Sequence, residues 1–515
     1  MSGRPPNLLL IMVDQLAACW LPAYGHRVVQ APNLTGLARD GVVFESAYCP
    51  SPLCLPSRAG LLTGKLPSRV GAYDNAGELP ASSPTIAHHL RSHGYATRLT
   101  GKMHFVGPDQ LHGFEERLTT DIYPADLIWT PDWRRPLGER LPWYHTMESV
   151  LRPGVCEASM QLDYDDEVTF QARRAIFDAA RATSRDPFFL VVSFTNPHDP
   201  WEIPGRYWAH YDPDDVPPPS VPLIPDSDAD PHSLRLREML GVDEAQLSAE
   251  QIRTARHAYF AAISYVDERI GEVLSSLRDA RLDGETIVVF TTDHGEMLGE
   301  RGLWYKMSFF ESSARVPLLV CAPRRVRPGR VTAPVSLLDL APTLLQLAAV
   351  PHAEELAAEL DGASLTAHLD GGAAARPDAV VAEYLAEGVS APAFMVRRGP
   401  HKFVSCGADP DQLYDLDRDP HELVNLAEHS SNADLRRSLR DTVAARWDVE
   451  ALEQRVLESQ RERRLVAQAL ATGRRTSWDH EPDLESATRY VRSGADMYEL
   501  QRRARLDTGS PPSGA

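Results

Sequence analysis

Asn7-Leu-Leu-Leu-Ile-Met-Val13 is an apolar run that stops abruptly on Asp14-Gln15. A run with no polar alternation reads as a central strand of a parallel sheet, covered on both faces. Ligands of open α/β sheets gather at the carboxyl ends of such strands, and Asp14 falls there. The same pattern recurs. Phe188 to Phe194 runs into Thr195-Asn-Pro-His198, and Thr286 to Thr291 into Thr292-Asp293-His294-Gly295. Tyr95 to Leu99 leads to Thr100-Gly-Lys102-Met-His104, and Val316 to Ala322 supplies another apolar strand. Amphipathic helices are expected over Pro32–Gly41, Thr85–Arg91, Asp165–Ala182 and Ser248–Ala280, the last opened by a Ser248/Gln251 capping box. Strands alternating with helices make an α/β fold.

The 515 residues are enough for one large α/β unit and a smaller one. Residues 1–370 are expected to form the catalytic domain. Beyond the small-residue stretch near Gly371, residues 371–446 carry shorter strands (Val380–Tyr384, Ala393–Arg397, Lys402–Ser405) and a helix over Ala433–Ala445. Residues 447–515 read as an arm: a charged helix over Val449–Leu470, then a tail with Trp478, Tyr490 and Tyr498 but no core of its own. Such a tail packs on this chain or on a neighbour, so a homo-oligomer (dimer or tetramer) is the expected assembly. Residues 105–160, rich in Pro, Trp and Tyr, read as a long excursion shaping a pocket mouth, and residues 211–235 as loop. The net charge of −19 argues against a nucleic-acid partner. No apolar run reaches the length of a membrane span, and no signal segment is evident, so a cytoplasmic location is the default expectation. The six cysteines are scattered without a Cys-x-x-Cys pair, as reduced thiols are.

One of those thiols stands out. In Cys54-Leu-Pro-Ser-Arg58-Ala-Gly-Leu-Leu-Thr-Gly64, Pro56 suits the first turn of a helix. Cys54 therefore falls at or just before a helix N-terminus, where free N–H groups and the dipole favour an oxyanion. Arg58, one turn on, adds a fixed cation. Taken singly, the polar residues at the strand ends have ordinary explanations as helix caps or hydrogen-bonded side chains. Jointly they collect Asp14, Gln15, Lys102, His104, His198, Asp293 and His294 at one sheet edge. Two carboxylates with an amide oxygen and one His suit a hard divalent cation better than zinc.

Cys54-x-Pro-Ser-Arg58 followed by Leu-Leu-Thr-Gly64 resembles the signature of the type I sulfatases, of the alkaline-phosphatase-like superfamily. Asp14, Thr100-Gly-Lys-Met-His104, Pro197-His198, Asp293-His294-Gly295 and Lys306 follow in that family's order. Within it, Leu66 to Asn75, Gly101 to His112, Gly302-Leu-Trp-Tyr-Lys306, Glu383-Tyr-Leu-Ala-Glu-Gly388 and the arm with Trp478-Asp most resemble the bacterial choline-sulfatase subgroup. The resemblance implies a large mixed sheet flanked by helices, with a smaller C-terminal α+β subdomain. It implies that a formylglycine-generating enzyme oxidises Cys54 to an aldehyde whose hydrate is the nucleophile. Asp14, Gln15, Asp293, His294 and residue 54 would hold a divalent cation, Ca2+ first, with Mn2+ or Mg2+ as alternatives. Arg58, Lys102, His104, His198 and Lys306 would serve catalysis. For a quaternary-ammonium alcohol the implied contacts are Asn75, Tyr123, Trp129, Trp143, His145, Glu383 and, from the tail, Asp496. Many sulfatases have two adjacent carboxylates after the first strand, whereas this chain has Asp14-Gln15. That pair is shared with phosphonate monoester hydrolases. A phosphonate monoester or phosphodiester hydrolase, and an unconverted ligand-binding homologue, are therefore the rival readings.

Overall fold

The apolar runs that end in polar residues are neighbours in space. The computed structural model describes residues 4–483 apart from 124, 136–139, 185, 323–325, 373–378 and 475–476. Its large sheet contains β1 (Asn7–Val13), β2 (Val42–Tyr48), β3 (Ala96–Gly101), β4 (Phe188–Ser193), β5 (Thr286–Thr292) and β6 (Arg315–Cys321). Their order is β2-β6-β5-β1-β4-β3, with short strands Gly329–Val331 and Val335–Ser336 on β2 and Glu116–Arg117 beyond β3. β1 lies between two parallel partners, pairing Leu10 with Val191 of β4 and with Val289 of β5. β3 continues parallel to β4, while β6 runs antiparallel to both β5 and β2, so the sheet is mixed. Every residue of β1, β4 and β5 is buried, as their uninterrupted apolar sequences require.

Three helices matter for the site: α1 (Cys54–Thr63), α2 (Met160–Arg181) and α3 (Ala249–Asp279). The capping box of α3 is formed, with Ser248 Oγ accepting from Gln251 N and Gln251 Oε1 accepting from Ser248 N. α2 starts before Asp165, because Ser159 caps it by accepting from Leu162 N. The stretch read as loop to residue 235 turns helical at Pro231, capped by Asp230. Among the described residues no helix is long and apolar enough to cross a membrane.

The second sheet is antiparallel: β7 (Val380–Tyr384), β8 (Ala393–Arg398), β9 (His401–Cys406) and β10 (Asp409–Asp415). β10 escapes a pattern reading because Asp409-Pro-Asp-Gln opens it with polar edge residues. Helices α4 (Ala433–Arg446) and α5 (Val449–Leu470) follow. At the turn between them Trp447 packs on Phe394, ring centroids 4.5 Å apart. Its indole donates to Glu383 Oε2 at 2.6 Å, while Ser68 donates to the same carboxylate through its N–H (2.5 Å) and its hydroxyl (2.8 Å).

Glu383 is fully buried, so each of these donors offsets its desolvation. Trp447→Phe keeps the ring packing but removes one donor. It is expected to cost about 1–3 kcal/mol of unfolding free energy, read as a lower urea midpoint at unchanged slope. An unaltered midpoint would show that the indole bond contributes nothing.

Candidate active site

The polar residues at the carboxyl ends of β1, β3, β4 and β5 converge on the N-terminus of α1. Cys54 is the first residue of that helix, and the Leu55 N–H that follows it is capped by Asn75 Oδ1 at 3.1 Å. Arg58, one turn on, is 1 % exposed and spends its guanidinium on the floor of the site. Nε donates to Asp293 Oδ2 (2.8 Å) and Nη2 to Asp14 Oδ2 (2.9 Å). Nη1 donates to the Lys102 carbonyl (2.6 Å) and to Ser193 Oγ (2.9 Å). Lys102 Nζ lies 2.6 Å from Asp14 Oδ2 and 3.8 Å from Cys54 Sγ. Its approach depends on Gly101, at φ +102°, where a Cβ would stand 1.9 Å from the Ser193 carbonyl oxygen.

Ligand atoms of Asp14, Cys54, Asp293 and His294 all lie within 4.8 Å of one another. Asp14 Oδ1 is buried with no hydrogen-bond partner. A lone pair left so in a dry site needs a cation. His294 Nδ1 lies 3.0 Å from the Gly295 carbonyl oxygen, which fixes the proton there and turns the Nε2 lone pair toward Cys54 Sγ at 3.2 Å. Two carboxylates and one imidazole nitrogen fit a hard divalent cation, and Gln15, whose backbone N–H donates to Asp293 Oδ1, follows Asp14 directly. Lys306 Nζ donates to Gln15 Oε1 (2.6 Å) and lies 3.0 Å from His145 Nε2 and 3.1 Å from His198 Nε2. His198 Nδ1 is 2.7 Å from the Asp199 carbonyl oxygen, so its Nε2 faces Lys306 as an acceptor. His104 Nε2 is 3.1 Å from the Asn75 carbonyl oxygen, leaving Nδ1 buried and unpartnered, a free base position.

Burial alone would raise the Cys54 thiol, yet Lys102 and Lys306 hold it well below the usual thiol range. Burial likewise opposes charge on Asp14, but Lys102 above all keeps its carboxyl below the ordinary carboxylate range. Desolvation, with Lys306 adjacent, pushes His145 down to about 3, so it is a neutral acceptor. Gln15, His104, Tyr305 and Met307 all adopt left-handed backbone (φ 66°, 64°, 65° and 75°). Strain of this kind is tolerated where the surroundings over-determine a functional geometry.

Tyr123 lies under Lys102, Nζ 4.7 Å from the ring centroid, and Trp129 sets its edge on His104 with centroids 5.6 Å apart. Trp143 packs on Tyr144. Asn75 spends its carbonyl oxygen on α1. Glu383, expected in an ammonium cage, is corrected by the geometry: its oxygens are taken by Ser68 and Trp447. Asp496 lies outside the described residues. The residue missed is Glu387, beyond the end of β7, with Oε2 buried and unpartnered. Burial pushes its carboxyl up to about 7; Asp74 and Cys54 add to the rise and Lys306 opposes it. The signal was available in Glu383-Tyr-Leu-Ala-Glu387, two acids of which only one lies within the strand. Asp74 and Arg463 were also missed; they form a bidentate pair at 2.6 and 2.7 Å that ties α5 to the residue before Asn75.

Known proteins resemble the chain in sequence and fold. The sulfatase family profile matches residues 6–350, the profile for the choline sulfatase enzyme C terminal matches 454–506, and that for the N-sulphoglucosamine sulphohydrolase C-terminal region matches 299–448. A choline-sulfatase of Rhizobium meliloti (strain 1021) is 46% identical over 99% of this chain and 100% of its own. The iduronate 2-sulfatase of Mus musculus is 32% identical over 62% of this chain and 60% of its own. The crystal structure of a phosphonate monoester hydrolase of Agrobacterium radiobacter superposes with TM-score 0.69 at 25% identity, covering 85% of this chain and 95% of that one. With a matched profile over most of its length and a full-length relative at this identity, the chain belongs to the sulfatase family.

Proposed function

We propose that the protein hydrolyses choline-O-sulfate to choline and inorganic sulfate, using a formylglycine made from Cys54. The observation that carries the chemistry is residue 54 at a helix N-terminus, ringed by Lys102, Lys306 and His294 beside the orphaned Asp14 oxygen. Full-length similarity to a choline-sulfatase and the unpaired Glu387 carboxylate support the alcohol.

Formylglycine supplies a hydrated aldehyde with one hydroxyl for attack on sulfur and a second for release of sulfate. A divalent cation held by Asp14, Gln15, Asp293 and His294, Ca2+ by preference and Mn2+ or Mg2+ as alternatives, supplies charge neutralisation of the sulfate oxygens. The chain's own residues do the rest. Asp293 takes the proton of the attacking hydroxyl, Arg58 and Lys102 hold the anionic oxygen at residue 54, and Lys306, with His198 beside it, faces the sulfate and gives a proton to the departing oxygen, so that choline leaves as the alcohol. Fixed cations suit a charge spread over several oxygens. His104 Nδ1, free of other partners, accepts the proton of the second hydroxyl as the carbon–oxygen bond to sulfate breaks, so the aldehyde returns without an outside nucleophile.

A quaternary ammonium has no proton to donate and is matched by aromatic faces and an unpaired carboxylate. Trp129, Tyr123 and Tyr144 supply faces, and Glu387 the charge. Tyr144 is in Glu387's electrostatic reach: burial raises its phenol, and Glu387 and Asp74 raise it further. The unconverted-homologue rival is separated by the intact mass of the purified chain, since oxidation of the thiol to the aldehyde lowers it. A cytoplasmic site of action and an oligomer built through residues 447–515 complete the reading.

Cys54→Ala is expected to lower turnover by about 10³-fold or more; near-normal rates would end the mechanism. Glu387→Gln should raise KM for choline sulfate about tenfold, the scale of one charge-assisted contact, and leave an aryl sulfate that carries no ammonium group unaffected. Glu387 must be ionised to meet the ammonium. KM for choline sulfate should therefore rise as pH falls through about 7, with no parallel rise for the ester that lacks the ammonium. Equal pH profiles for both esters would remove Glu387 from the pocket.

A further inference from the structure

Position 15 holds an amide where many sulfatases have a second carboxylate, and the surroundings of Gln15 explain it. Gln15 Nε2 donates to Glu296 Oε2 at 2.6 Å and to Asp199 Oδ1 at 3.4 Å, while Gln15 Oε1 accepts from Lys306 Nζ at 2.6 Å. Two acceptors thus lie on the nitrogen side and a cation on the oxygen side, so only one orientation of the amide satisfies its neighbours. Glu296 is fully buried, and its other oxygen accepts from Leu298 N and Tyr305 N, both at 2.7 Å. All of its partners are donors. The Tyr305 bond also holds the left-handed turn that delivers Lys306.

We propose that Glu296 is a positioning residue: it locks the Gln15 amide with its nitrogen on Glu296 and its oxygen on Lys306, the orientation in which that oxygen can serve as a cation ligand, and, through Tyr305, sets Lys306 against that same oxygen. A carboxylate at position 15 would put a third acid against Glu296 and Asp199 and need a proton taken up between them, whereas an amide brings its own donor. The inference rests on the reading of Gln15 as a cation ligand.

Calorimetric titration of the full-length, chelator-stripped chain with CaCl2 and with MnCl2 tests it, alongside the melting temperature without metal as a check of folding. In Glu296→Gln an amide replaces the acceptor, and the Gln15 amide is free to flip its nitrogen toward the cation. Affinity should fall by about 10–100-fold, the usual range for loss of a group that orients a ligand. The reciprocal exchange, Gln15→Glu with Glu296→Gln, restores one donor facing one acceptor and should bind within about threefold of wild type on the same reasoning. Equal affinity in wild type and Glu296→Gln overturns the inference alone. Weak binding in both variants overturns it too, since the loss would then not run through the amide. If Glu296→Gln does not fold, the exchange decides: recovered folding with cation binding supports the inference, and failure of either overturns it. A wild-type chain that takes up neither cation overturns the metal reading and this inference with it.

Discussion

A single guanidinium between two carboxylates is the constraint on which the site is built. Arg58 is 1 % exposed, and Asp14 and Asp293 have no exposed surface at all. Removing three ions from water costs several kcal/mol each, and their attraction offsets it only with good geometry and satisfied donors. Arg58 meets that condition. Its Nε, Nη1 and Nη2 all donate, and the two carboxylates sit on different strands, β1 and β5, at fixed separation. The guanidinium lies on the first turn and a half of α1, so the same contacts fix Cys54 at that helix's N-terminus. Sheet, helix and nucleophile are registered by one side chain.

Much of this was legible in the chain, for physical reasons. Strands covered on both faces cannot hide: Leu8–Val13, Phe188–Val192 and Ile287–Phe290 leave no other reading, and the first polar residue after each marks the carboxyl edge. A capping box such as Ser248/Gln251 is a local signature and is realised locally. The start of α2 and the strand β10 were less legible, because a lone cap (Ser159) and a polar edge strand carry no periodic signal. Glu383 and Glu387 show the limit most clearly. Both are buried acids in one short motif, and composition does not tell which carboxylate finds donors. Strand geometry does: Glu383, inside β7, faces Ser68 and Trp447, while Glu387, past the strand end, keeps Oε2 without a partner.

Backbone strain follows the same division. Gln15 and His104 end the turns that leave β1 and β3, and Tyr305 and Met307 flank Lys306, all in left-handed conformation without being glycine. Each is held by a specific bond: Gln15 N to Asp293 Oδ1, His104 N to Asp121 Oδ2, Tyr305 N to Glu296 Oε1 and Met307 N to the Pro52 carbonyl. Carboxylates supply three of these four anchors, so the charges that build the site also hold its strained turns.

Chemistry and selectivity draw on different parts of the chain. The charged residues around Cys54 come from strand ends, from α1 and from the turn that carries Lys306, all within the 6–350 stretch matched by the family profile. The side proposed for the alcohol draws in addition on residues beyond that stretch. The Leu127–Trp129 turn, Glu387 beyond β7, and α5 meet there. Gln460 of α5 accepts from the Trp133 N–H, Trp133 donates to the carbonyl of Ala386 beside Glu387, and Arg463 grips the buried Asp74. Without Arg463, Asp74 would add a second unpaired carboxylate next to Glu387, and the two would repel where one positive charge is to be bound. The arm is therefore more than a peripheral extension. Arg463 pairs with one of two neighbouring acids, and Gln460 of the same helix holds the Trp133 backbone.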